Sequence, residues 1–295
     1  MHETAKLTAS NGAPCDYFGH SVTLDGDTAA AGAISHDAGV NQNQGAVYVF
    51  TRPVDGWVNA VETAMLTAAG GAAGDAFGSA VALDGDTLAV GAVGVGEYDG
   101  AAYIFLKPPG GWTAVSQVAM LTSSNPGISG DELGFSASLQ GETLVVGAPY
   151  RAFSYVYHPG AAYVFVRPQA GWSDATQTAV LTSTGTSSLG WSVAVDGSTV
   201  IAGTPWVTGA GGDSQGAALV FTRPASGWTD TDQAFWLTAW DGAAMDGFGG
   251  AVEINGSEAF IGAQGDDTGM VASAGSAYVF VSGSYLHLYL PLIRK

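Results

Sequence analysis

Apolar and polar positions along the chain follow a short-strand pattern that recurs. A stretch such as Gly78-Ser79-Ala80-Val81-Ala82-Leu83 is followed by Thr87-Leu88-Ala89-Val90-Gly91 and then by Ala101-Ala102-Tyr103-Ile104-Phe105. The second and third of these are apolar almost without interruption, which predicts strands covered on both sheet faces. The first two are joined by Asp84-Gly85, and the same place holds Asp25-Gly26, Gln140-Gly141, Asp196-Gly197 and Asn255-Gly256. Asp-Gly and Asn-Gly predict a two-residue hairpin of type I′, whose central residues both need positive φ. A fourth strand ends in Leu-Thr, as in Ala64-Met65-Leu66-Thr67. Gly or Pro breaks every window that would otherwise suit a helix.

The pattern is a fivefold repeat. Phe18-Gly19 returns as Phe77-Gly78, Leu133-Gly134, Leu189-Gly190 and Phe248-Gly249, at intervals of 59, 56, 56 and 59 residues. A second glycine stands 14 residues after each, at Gly32, Gly91, Gly147, Gly203 and Gly262. Trp57, Trp112, Trp172 and Trp228 follow the third strand in four copies. Small four-stranded sheets, buried on both faces and repeated, predict an all-β, five-bladed β-propeller with four-stranded antiparallel blades. The expected organisation is one domain over 1–284, with repeats at about 11–67, 68–122, 123–182, 183–238 and 239–284. Ala5-Lys6-Leu7-Thr8-Ala9 is a fourth strand standing alone, while the last unit lacks the Trp and Leu-Thr sequel. Residues 4–10 are therefore expected to complete the last blade and close the ring. The segment 285–295 is a tail or an extra edge strand, and an unpaired edge there invites self-association.

Composition narrows the function classes. The chain has 295 residues, 44 Gly, 8 Lys+Arg against 26 Asp+Glu, and a net charge of −18. That charge opposes nucleic acid, whose binding needs cations to displace counterions, and opposes an anionic membrane surface. One Cys, Cys15, closes no internal disulfide and builds no cysteine zinc site. No apolar run reaches the roughly 18 residues of a membrane-crossing helix. Met1-His2-Glu3-Thr4 lacks the basic-then-apolar start of a signal peptide.

Phe-Gly at the first strand, Gly147-Ala148-Pro149 and its variants Gly32-Ala33, Gly91-Ala92, Gly203-Thr204-Pro205 and Gly262-Ala263 at the second, and Gly-Ala-x-Tyr-Val-Phe at the third resemble FG-GAP repeats. Such repeats build the integrin α-chain propeller and many bacterial surface proteins. The resemblance runs from Ala5 to Phe280 and implies a propeller, an extracellular or bacterial cell-surface location, and a role in adhesion or ligand binding. It departs from integrins in having five units, and in lacking the long calcium loop between the first two strands. A calcium site needs six to eight oxygens from a loop of about a dozen residues. No metal site or cofactor is carried over.

Features shared by the copies read as scaffold, and features of one copy as candidates for function. Asp16, Asp75, Asp131 and Asp246 recur, with Ser187 in the fourth copy. Two readings stand for them: braces for backbone amides in a turn, and an acidic ring for a cation. The recurrent Trp residues read as packing anchors. The acidic loops around Asp37 and Asp266-Asp267 read as solvated turns. The third unit concentrates Tyr150, Arg151, Phe153, Tyr155, Tyr157 and His158 in one loop, and Trp191, Trp206 and Trp240 are each singular. Aromatics with Arg are the usual composition of a binding hot spot, so these nine are the expected ligand rim, for a protein or a glycan. The same rim aromatics also suit a loop buried on itself. Five-bladed propellers include glycosidases, which need two carboxylates about 5–9 Å apart; no such pair is evident. The five His residues show no ligand spacing, and His20 beside Phe18-Gly19 reads as packed. The expectation is a non-enzymatic binding protein, with a self-assembling structural module as the alternative.

Overall fold

The computed structural model describes residues 3–124, 130–152, 158–267 and 271–281. Strand β1 (Leu7–Thr8) precedes the first unit, which holds β2 (Phe18–Asp25), β3 (Thr28–Ala33), β4 (Ala46–Thr51), β5 (Ala60–Val61) and β6 (Ala64–Leu66). The second unit holds β7 (Phe77–Asp84), β8 (Thr87–Ala92), a single helical turn α1 (Val95–Tyr98), β9 (Ala101–Leu106) and β10 (Ala119–Thr122). The third consists of β11 (Ser136–Gln140), β12 (Thr143–Ala148), β13 (Ala161–Val166), β14 (Ala175–Thr176) and β15 (Ala179–Leu181). The fourth has β16 (Val193–Asp196), β17 (Thr199–Thr204), β18 (Ala217–Thr222) and β19 (Phe235–Leu237), and the fifth β20 (Phe248–Asn255), β21 (Glu258–Ala263) and β22 (Ser276–Val281). The described residues are all-β apart from α1, which the sequence had not suggested; Gly96 and Glu97 in it take positive φ.

Each unit folds into an antiparallel sheet in chain order, β2-β3-β4-β6 in the first and β16-β17-β18-β19 in the fourth. The hairpin turns differ from expectation. Asp25 still pairs with Thr28, so the two turn residues are Gly26 and Asp27, and only the glycine has positive φ. Glycine first is the pattern of a type II′ turn. The shift frees the Asp25 carboxylate, which accepts the Gly85 N–H of the next sheet at 2.7 Å. Asp84, Gln140 and Asp196 do the same for Gly141, Gly197 and Gly256. A turn residue thus ties every sheet to its successor.

Both faces of the middle sheets are covered, as the continuous apolar runs predicted. Ala30, Val47 and Val49 of the first sheet pack on Phe77, Leu88, Val90 and Phe105 of the second. The same positions recur at each later junction, ending with Ile201, Ala218 and Val220 against Phe248, Ile261 and Phe280. The junctions are tight enough for backbones to touch. A Cβ at Gly147 would stand 1.9 Å from the Gly190 carbonyl oxygen, and one at Gly91 would stand 2.0 Å from that of Gly134. Here glycine is required by space, not by φ.

The inner strands pack in the row β2, β7, β11, β16, β20. Among the described residues the first and fifth sheets are not a packed pair, and their outward faces are open. Val22 and Leu24 on β2 are 71 % and 65 % exposed, against 7 % and 8 % for their equivalents Val81 and Leu83 on β7. Phe260 on β21 is 53 % exposed, against 1 % for its equivalent Ile201. The expected closure by the N-terminal strand is not made. Strand β1 pairs parallel with β5, Leu7 opposite Ala60, and the fifth sheet is β20-β21-β22 among the described residues. The first and fifth sheets do not pack on each other, so β1 stays with the first unit, where it makes the contacts that β10 makes with the third unit. Lys6 N–H donates to Asn59 Oδ1 as Met120 N–H donates to Asp174 Oδ1. Leu121 faces Ala175 as Leu7 faces Ala60.

Substituting Gly147→Ala should destabilise the protein by at least about 2 kcal/mol, the scale of an overpacked core site that cannot relax. A thermal melt followed by circular dichroism measures it, and an unchanged transition would show that the junction yields.

Candidate functional site

Two positions of the repeat lie at the same end of every sheet. One follows the Phe/Leu-Gly pair, where in the first, second and fifth units a β-bulge interrupts the first hairpin, as between Phe18 and Val22. The other lies in the turn after the second strand. In the first, second and fifth units these positions carry His20, Ser79 and Gly250, and Ser35, Gly94 and Gly265. In the third and fourth they carry Phe135 and Trp191, and Tyr150 and Trp206.

Those four rings meet. Phe135 lies 4.7 Å from Trp191, centroid to centroid, at a tilt of 49°. Trp191 meets Trp206 edge to face at 5.5 Å, and Phe135 meets Tyr150 edge to face at 6.1 Å. The result is a continuous row, Tyr150–Phe135–Trp191–Trp206, spanning two units. Its outer member Trp206 is 37 % exposed, and the other three are half-buried. Phe135 is the member the sequence reading missed; its singularity at its repeat position was the available signal.

The turn carrying Phe135 also carries Glu132, where the other units have Tyr17, Ala76, Ser188 and Gly247. Glu132 is half-buried, and burial raises its carboxyl above the ordinary glutamate value of 4.5. Burial, with a further contribution from the Glu132 charge, raises the Tyr150 phenol as well. A singular carboxylate therefore stands close enough to the aromatic row to act on it electrostatically.

The remaining expected rim residues are spread out. His158 approaches the Tyr150 carbonyl oxygen with Nδ1 at 3.0 Å and thereby supports the Tyr150 turn. Arg151 is buried, its guanidinium 5.9 Å from the Tyr163 ring centroid. It lines a separate cleft of about 450 Å³ with Gln177, Asp230 and Asp232. Trp240 is 62 % exposed and is not a member of the row. Phe153, Tyr155 and Tyr157 lie outside the described residues.

The recurrent aspartates behave as braces. Asp16, Asp75 and Asp246 each accept the backbone N–H three residues earlier, from Ala13, Ala72 and Ala243. Asp131 accepts from the Tyr163 hydroxyl at 3.0 Å, and Asp16 also meets His36 Nδ1 at 3.0 Å. Burial and neighbouring carboxylates push the Tyr48 and Tyr103 phenols up to about 12, and Tyr48 donates to Asn11 Oδ1 at 2.8 Å. In the acidic loops, Asp37 accepts from the Asn43 N–H and Asp267 from the Ser273 N–H, as turn residues do. His20 is exposed, not packed.

Residues 1–50, 60–105, 115–165 and 231–280 match the FG-GAP repeat family. Comparison with curated proteins finds no match. Among solved structures, the chain is similar to a prolyl endopeptidase at 12 % identity and a TM-score of 0.47, over 88 % of this chain and 32 % of the other. It spans about a third of that enzyme's length. It is also similar to the periplasmic gluconolactonase of Pseudomonas aeruginosa at 13 % identity and a TM-score of 0.43, over 96 % of this chain and 85 % of the other. Both neighbours are enzymes, which corrects the expectation of a non-enzymatic chain. Lack of a catalytic motif in the sequence was a weak ground for that expectation. The repeated Phe/Leu-Gly pair, the glycine packed under the next unit and the matches over most of the chain agree: this protein belongs to the FG-GAP repeat family.

Proposed function

We propose that the five sheets act as blades of a propeller-type binding protein, a single unit over residues 1–284, working outside the cell or at its surface. Its ligand is a carbohydrate laid across Tyr150, Phe135, Trp191 and Trp206. The observation that carries this reading is that aromatics replace small or polar residues at both repeat positions, in two adjacent units only. Packing does not require them, since the other three units fold without them. Offset rings offer an apolar face to the C–H side of a sugar, and the Trp and Tyr polar edges stay available for hydroxyls. Glu132, when ionised, is an acceptor for a sugar hydroxyl beside the row. A protein ligand would use the same aromatic anchors, and a glycan array separates the two.

Trp206→Ala should weaken binding of the preferred oligosaccharide at least about tenfold, near 1.4 kcal/mol, while Trp240→Ala leaves it unchanged. Calorimetric titration with array-selected glycans tests this. Equal affinities for the natural chain and the Trp206 variant would remove the aromatic row from the binding reading.

Glu132 supplies a second test. Its folded-state pKa is raised, so the folded protein holds this proton more tightly than the unfolded chain does. Stability from the neutral carboxyl is full below the ordinary value of 4.5 and is lost as pH rises through the raised value. Glu132→Gln is neutral throughout, so its melting temperature should gain on that of the natural chain as pH climbs from about 4 to neutrality. Scanning calorimetry across that range reads the difference, and a pH-independent offset would show that Glu132 is not desolvated.

A further inference from the structure

The two open faces are the two halves of one contact that the chain makes four times within itself. On the fifth sheet, Phe260 and Val279 occupy positions that elsewhere press on the following unit, as Ile201 and Val220 press on β20 to β22. Gly262 is the equivalent of Gly32, Gly91, Gly147 and Gly203, where a Cβ would collide with the next unit's glycine carbonyl at 1.9–2.2 Å. At Gly262 the nearest atom to such a Cβ is 3.6 Å away, so nothing in its own chain demands glycine there. Asn255 holds the turn position from which Asp25, Asp84, Gln140 and Asp196 accept the next turn's N–H.

The first sheet offers the other half. Val22 and Leu24 are bare, and a mainly apolar groove of about 460 Å³ runs between them, Leu7, Phe50 and Trp57. Strand β1 has the sequence of a fourth strand and is seated on the first unit, with its other edge unpaired among the described residues. The fifth sheet has three strands among the described residues.

We propose that these halves join between copies of this chain. The fifth sheet of one copy stacks on the first sheet of the next, and β1 of the second copy pairs antiparallel with β22 as its fourth strand. The register follows from Val47 opposite Leu66 and Ala218 opposite Leu237 in the first and fourth sheets, and it sets Ala277 opposite Leu7. The occupant is a second copy because every contact left unfilled on one end has its counterpart, residue by residue, on the other. Such a contact is heterologous, one surface against a different one, and therefore propagates head to tail. The charge of −18 on each copy opposes association, so added salt should favour it by screening.

The test is analytical ultracentrifugation of the full chain over a wide concentration range at low and moderate salt. The expected result is a mass that rises from monomer with concentration, more steeply with salt. Gly262→Val blocks the fifth-sheet face and Leu24→Glu the first-sheet face; each variant alone should stay monomeric with a melting temperature close to that of the natural monomer. Each keeps one intact face, so an equimolar mixture should form a dimer and stop there. A natural chain that stays monomeric at every concentration overturns the proposal. So does a Gly262→Val monomer with a sharply lowered melting temperature, since that would mean the two faces meet within one chain. Oligomers that persist in both single variants overturn it as well.

Discussion

The fold depends on two backbones passing at a distance that only glycine permits. At each junction the second-strand glycine of one sheet lies under the carbonyl of the Phe/Leu-Gly pair of the next, as with Gly147 and Gly190. That approach brings Val145, Ala162 and Val164 onto Val200, Leu219 and Phe221, and it places the Gln140 side chain within reach of the Gly197 N–H. Apolar burial supplies the driving force, roughly 25 cal/mol per Å² removed from water. The glycines set how closely the surfaces come, and the turn carboxylates and amides set their register. A sheet apolar on both faces must bury each against another element, so the junction between sheets holds the protein together.

The same constraint explains where variation is tolerated. Residues at the junction recur in every copy, while the ends of the sheets are free of it. The position after Phe/Leu-Gly and the turn after the second strand vary, and there the third and fourth units differ from the others. Aromatic rings collect at those two places because the neighbouring units hold them within ring-contact distance of one another. Glu132 joins them through its turn, where burial raises its carboxyl above the ordinary value. The recurrent aspartates, by contrast, are occupied with backbone amides and phenols, and their chemistry is spent on the scaffold.

Much of the fold was legible before any coordinate. The Gly-Ala pairs, the unbroken apolar runs ending at Phe50 or Phe105, and the Leu-Thr strands name each element because the forces that form them act within one unit. The hairpin turns were expected one residue too early and assigned the wrong type: Asp25 pairs with Thr28 as a strand residue, and its carboxylate reaches Gly85 in another sheet. The rim was legible in part. Trp191, Trp206 and Tyr150 stood out as singular, yet Arg151 turned away to Tyr163 and Trp240 stayed apart, since residues near in sequence leave a turn in different directions.

The sequence by itself determined the repeat, its period, the strands within it and the apolar character of both faces, because each of these is decided by side chains a few positions apart. Tertiary structure decided which two faces remain uncovered, where β1 lies and which aromatics share a row. Those outcomes depend on contacts between different units, where the identity of a residue says what it can touch and only the packing of neighbouring sheets says what it does touch.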